Sequence, residues 1–140
     1  MLLSNLLNVN FNTYTSFFFL FNVYYLLDTN DTYYLVSFIA LFIVSTLFHY
    51  TKSYYLSYID KLTTYNIILT GGLRLYENYY KSLETTLIII LCFLLVIYLY
   101  TYGYVCDKYC FDKRNGHLYH GFLHFLSSLG HLFIISLIKM

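Results

Sequence analysis

TTLIIILCFLLVIYLYTYGYV, Thr85 to Val105, decides the class of fold: twenty-one residues without a formal charge. About 20 apolar residues wound as a helix cross the hydrocarbon core of a bilayer. The tyrosines Tyr98, Tyr100, Tyr102 and Tyr104 suit an aromatic belt at the membrane–water interface. Tyr33 to Tyr50 (YYLVSFIALFIVSTLFHY) is a second uncharged stretch of spanning length. Phe11 to Leu27 and Leu118 to Ile138 complete the set, the first short but uncharged, the second apolar apart from histidines and serines.

Composition points the same way. The chain has 140 residues, 59% of them hydrophobic and only 11% charged, less than half the share usual in a soluble domain. This argues against a disordered tail and against an ordinary water-soluble enzyme. The net charge of +1 gives no sign of a nucleic-acid partner. The start, Met1 to Asn5, lacks a basic region and does not read as a cleaved signal peptide.

Lys61 to Ser82 is the difficult segment. Its apolar centre, Asn66 to Leu73, is short, and Arg74, Glu77 and Lys81 follow at once. It is expected to form an amphipathic helix lying at the interface, with a fifth span as the alternative. The predicted fold is therefore an all-α integral membrane helical bundle in one domain, 1–140. It has four spans, 11–27, 33–50, 85–105 and 118–138, or five if 61–82 crosses, and otherwise an interfacial helix over 61–82. Loop charge over four spans puts both termini on the inner side.

The residue usage is skewed further. There are 19 Tyr and 13 Phe but no Pro and no Trp. Ala40 is the one alanine, and Arg74 and Arg114 are the two arginines. No physical need of a membrane helix excludes Ala, a good helix former. The pattern reads as coding bias in an AT-rich genome, with an organelle genome the leading candidate. The expected location is the mitochondrial inner membrane, among other membrane subunits of a multi-protein complex and lipid. The aromatic surplus suits such contacts, although coding bias explains it equally.

The chemistry concentrates in the last apolar segment. His117, His120, His124 and His131 fall within an arc of about 60° on a helix, and Ser128 extends that face. Polar groups inside a bilayer face the bundle interior, a cavity or a cofactor. Three uses stay open: hydrogen bonds to neighbouring helices, axial ligation of heme, and zinc, for which His120-x3-His124 sets two imidazoles one turn apart. Cys106-x3-Cys110 with His117 and His120 is a minor further metal pattern. Asp60 beside Lys61, and Glu77 four before Lys81, read as surface pairs. Gly71-Gly72-Leu73-Arg74 lacks the continuation of a phosphate loop.

Two resemblances reach these residues. His117-x3-Gly121-x2-His124-x5-Gly130 resembles the second helix of the cytochrome b membrane-anchor subunit of succinate dehydrogenase. It implies a structural, anchoring subunit of a respiratory-chain complex, with His117 ligating heme b and His124 and His131 on the same face. His49-x10-Asp60 is similar to a pattern in the partner anchor of that complex. Ser45-x3-His49, Asp60 and His120-x3-His124 resemble the alkaline ceramidases, seven-span membrane hydrolases. That likeness implies a zinc held by His49, His120 and His124, with a zinc-bound water attacking a lipid amide, helped by Ser45 and Asp60. Topology separates the two. If 61–82 lies in the interface, His49 and His120–His124 fall on opposite sides of the membrane, which disfavours the hydrolase and leaves the anchor as the first expectation.

Overall fold

The computed structural model describes residues 11–105 and 116–140, with side chains for all of these except 104, 105 and 117. Among them the chain is helical apart from short links and contains no strand. A short helical stretch over 11–16 breaks at Phe17 and resumes as α1, Phe18–Leu26. The other helices are α2 (Thr32–Thr51), α3 (Tyr54–Asn78), α4 (Leu83–Tyr100) and α5 (Gly116–Lys139). A 3₁₀ turn, Tyr79–Lys81, joins α3 to α4, and a π-helical turn, Thr101–Val105, extends α4. Among the described residues three helices are long and apolar enough to cross a membrane: Thr32–Thr51, Leu83–Gly103 and Leu118–Lys139.

Local chemistry sets the ends. Asp31 caps α2 by accepting a hydrogen bond from the Tyr34 N–H at 3.1 Å. At its other end Lys52 takes a left-handed conformation, φ 52°, and its N–H bonds the Phe48 carbonyl at 2.7 Å. Only Lys52 and Ser53 lie between α2 and α3, so short a link that the two helices are antiparallel neighbours. Ser82 caps α4 by accepting from the Thr85 N–H at 3.3 Å.

Where an interfacial helix over 61–82 was expected, a single helix runs from Tyr54 to Asn78 and lies along α2. Polar contacts mark the seam from end to end. The Arg74 guanidinium pairs with the Asp31 carboxylate. Tyr33 donates to the Asn66 side-chain carbonyl at 2.7 Å, and the Asn66 amide donates to Ser37 at 2.9 Å. Ser45 and Asp60 meet at the far end. Fourteen residues separate Asp31 from Ser45, and Asp60 from Arg74, so the two helices share about 21 Å of axis. Of the polar residues in this segment, Asn66 faces α2 and Arg74 faces its N-cap.

The helices alternate in direction. α5 packs against α1, α3 and α4, and α2 packs against α1 and α3. α2 and α5 thus stand diagonally across the bundle, and large side chains fill the space between them. Tyr34, Phe38 and Leu41 of α2 and Ile134, Ile135 and Leu137 of α5 belong to the buried core, with Ile67 and Ile89. α4 rests mainly on α5 and turns Leu87, Leu91, Leu94 and Ile97 outward.

Candidate metal centre

The diagonal between α2 and α5 is bridged at two levels, one near each end, and each level uses histidine. At one level stand His49, in the last turn of α2, and His120 and His124, in the first turns of α5. One ring nitrogen from each of the three lies within 4.8 Å of the others. The Nε2 atoms of His49 and His120 are 3.2 Å apart. Ring centroids are separated by 4.8 Å for His49–His120, 5.1 Å for His49–His124 and 4.6 Å for His120–His124, at interplanar angles of 80°, 56° and 70°. The rings therefore surround a common point without stacking. His49 and His124 are buried and His120 is half-buried. The separation of His49 from His120 and His124 that an interfacial 61–82 helix requires is corrected here: α3 returns alongside α2, and all three residues sit at one end of the bundle.

Other members of the hydrolase-like set come with them. Ser45 lies one turn before His49 on the same face of α2 and is 1% exposed. Its hydroxyl neighbours the Asp60 carboxyl and lies 3.3 Å from the Ser16 hydroxyl. Asp60 is thus not the surface partner of Lys61 but a half-buried group whose Oδ1 is enclosed without a partner. Glu77 likewise pairs with Arg74 at 2.8 Å, while Lys81 donates to the Leu137 carbonyl at 3.0 Å near the end of α5.

The N-terminal stretch completes the cluster. His124 Nδ1 lies 3.0 Å from Thr15 Oγ1, and the Thr15 hydroxyl donates to the Asn12 carbonyl at 3.0 Å. Thr15 also lines an apolar groove of about 450 Å³ with Phe11, Tyr14, Phe18, Leu118, Gly121, Phe122 and Phe125. Gly121 permits this approach: a Cβ there would stand 2.6 Å from Phe11 Cε1 and 2.8 Å from Thr15 Cγ2.

The second level is built on His131. Its Nδ1 and the Tyr34 hydroxyl are 2.5 Å apart, both groups fully buried. Phe38 and Phe93 meet the ring edge to face at 5.2 and 5.1 Å, and Gly71 of α3 lies directly against it. His131 Nε2 has no hydrogen-bond partner. The histidine face is therefore divided between two tasks, a cluster at His120 and His124 and a packed lock at His131. Ser128 lies between them, accepting from the Asn22 amide at 2.6 Å and donating to the Phe18 carbonyl at 2.9 Å.

His117 falls in the first turn of α5, but its side chain lies outside the described residues, as do Cys106 and Cys110. Sequence reasoning missed Thr15, Asn22 and Tyr34. For Asn22 a signal existed, an amide in the middle of the apolar run 17–27. For Thr15 and Tyr34 there was none, because such residues are ordinary in membrane helices. Comparison with protein-family models, curated proteins and solved structures finds no match.

Proposed function

We propose that the protein is a five-span membrane protein that holds a zinc ion at His49, His120 and His124, and that this site hydrolyses an amide of a lipid. The carrying observation is the convergence of three imidazoles from α2 and α5 on one point, with Ser45 one turn before His49 and Asp60 against Ser45. Three nitrogen ligands leave a fourth position open, the pattern of catalytic rather than structural zinc. The donors fit: all three are imidazoles, and two of them are buried. Zinc bound there supplies a water of lowered pKa and a Lewis acid for a carbonyl.

The remaining roles fall to the chain. Asp60 has an enclosed, unpartnered oxygen and can take the proton of an attacking water and return it to the leaving amine. Ser45 gives its one hydroxyl hydrogen to that carboxyl and so orients it. The aromatic groove that shares Thr15 with the cluster can seat an apolar chain at the level of the bilayer. The resemblance to the alkaline ceramidases supplies the substrate class.

The length of α3 supports a fifth span: its 25 residues extend about 37 Å, more than a hydrocarbon core, alongside the apolar α2. With five spans the termini lie on opposite sides. Lys52, Lys61, Lys108, Lys113 and Arg114 then share the side of the histidine cluster, against Arg74, Lys81 and Lys139 on the other. By the positive-inside bias the cluster faces inward.

A second reading, a subunit of a respiratory complex in the mitochondrial inner membrane with heme b ligated by His117, is favoured by the outward apolar face of α4, which a neighbouring subunit could cover. The described histidines lend it less support. His49 and His120 meet each other, and His131 is engaged by Tyr34.

An assay separates the readings. Purified protein supplied with zinc should release fatty acid from a ceramide-type amide in mixed micelles. Ser45→Ala and Asp60→Asn should lower the rate by 10²-fold or more with zinc content unchanged. A Soret band and no zinc would sink the hydrolase.

A further inference from the structure

We infer that Thr15 is a positioning residue of the metal centre, selecting the tautomer of His124 that leaves Nε2 bare for an ion. This role rests on the metal reading above; the tautomer itself does not. A threonine hydroxyl has one hydrogen and two acceptor lone pairs. Thr15 gives that hydrogen to the Asn12 carbonyl at 3.0 Å, four-fifths of a turn earlier in the 11–16 helix. Its oxygen can then only accept in the 3.0 Å contact with His124 Nδ1.

The proton of neutral His124 is therefore on Nδ1, and Nε2 carries a lone pair. Thr15 and His124 are 7% and 6% exposed, so solvent does not offer the hydroxyl another partner. The His49 and His120 rings pack against that of His124, with centroids 5.1 and 4.6 Å away. A metal takes imidazole in its neutral form, through a bare nitrogen, and metal-binding histidines generally donate their other N–H to an oxygen acceptor. Thr15 provides that acceptor from outside α5. The bare Cα of Gly121 is what lets it come close enough.

Nitrogen-15 NMR of the zinc-free, imidazole-labelled protein reads the tautomer directly and needs no variant. The proposal expects His124 protonated at Nδ1; protonation at Nε2 overturns it. For the full-length protein in detergent, Thr15→Val should weaken zinc binding 10- to 100-fold. Thr15→Ser, which keeps the hydroxyl, should restore it to within a few-fold of the unmodified chain. Zinc affinity unchanged in Thr15→Val, or lost equally in Thr15→Ser, overturns the role of Thr15 while the metal reading stands. Failure of the unmodified protein to bind zinc overturns the metal reading itself.

Discussion

His49 and His120 are 71 residues apart in the chain, yet their Nε2 atoms face each other at 3.2 Å. Two neutral imidazoles can meet this way only if one nitrogen carries a proton. A cation between the rings satisfies both lone pairs at once, together with that of His124. The contact also sets the end of α2 and the start of α5 at the same level, the topology that a membrane-crossing α3 would give.

That topology can be read by chemistry. In a background with Cys92, Cys106 and Cys110 replaced by Ser, single cysteines are placed at Ser53 and Asn78, which flank the two ends of α3. An impermeant maleimide should label Ser53→Cys from one side of the membrane and Asn78→Cys from the other. Labelling of both from the same side would return α3 to the interface.

Gly71 and Gly72 are neighbours in α3 with opposite expectations. A Cβ on Gly71 would stand 2.5 Å from His131 Cε1 and 2.8 Å from its Nδ1, while one on Gly72 meets nothing within 4 Å. The His131 ring is fully buried between Phe38 and Phe93 and cannot withdraw. Gly71→Ala should therefore destabilise the protein by about 1–3 kcal/mol. Gly72→Ala should stabilise it by about 0.5–1 kcal/mol, because alanine loses less freedom in a helix. Thermal unfolding in detergent measures both. Equal shifts would show that α3 does not press on His131.

Asp31 links acid sensitivity to the end of the bundle opposite the cluster. Burial works against ionisation of its carboxyl. The hydrogen bond from Arg74, the Tyr34 N–H and the Arg74 charge outweigh it and hold the carboxyl below its usual range. A group with a lowered folded pKa adds stability above its unfolded value of about 3.9, lost as the pH falls through the folded value. Asp31→Asn keeps an acceptor for the helix cap but loses the ion pair. It should cost about 1 kcal/mol near neutrality, and the deficit should shrink below about pH 4. Melting temperatures at pH 7 and pH 3 test this; a deficit that does not change with pH would contradict it.

The apolar helices and the histidine face were legible in the sequence because each depends on one local property, uncharged length or helical spacing. α3 was not. Asp60, Asn66 and Arg74 are polar because they face Ser45, Ser37 and Asp31 on another helix. From sequence alone such a seam cannot be told from a face turned to water. The same limit set the expected topology against the His49, His120 and His124 set that the hydrolase likeness implied. His120 and His124 announce themselves by spacing, but His49 joins them only once α3 is known to run beside α2. Thr15 enters through a contact 109 residues long in sequence. The single arc of histidines also misled in one respect, since His131 belongs to a lock with Tyr34 and not to the cluster.

The measurement closest to the central claim is the metal content of the purified protein, alone and with its histidines replaced one at a time. One zinc per chain is predicted, lost in His49→Ala, His120→Ala and His124→Ala but retained in His131→Ala, which should melt earlier yet bind normally. No zinc in the unmodified chain, or zinc retained when His49 is replaced, would contradict the account.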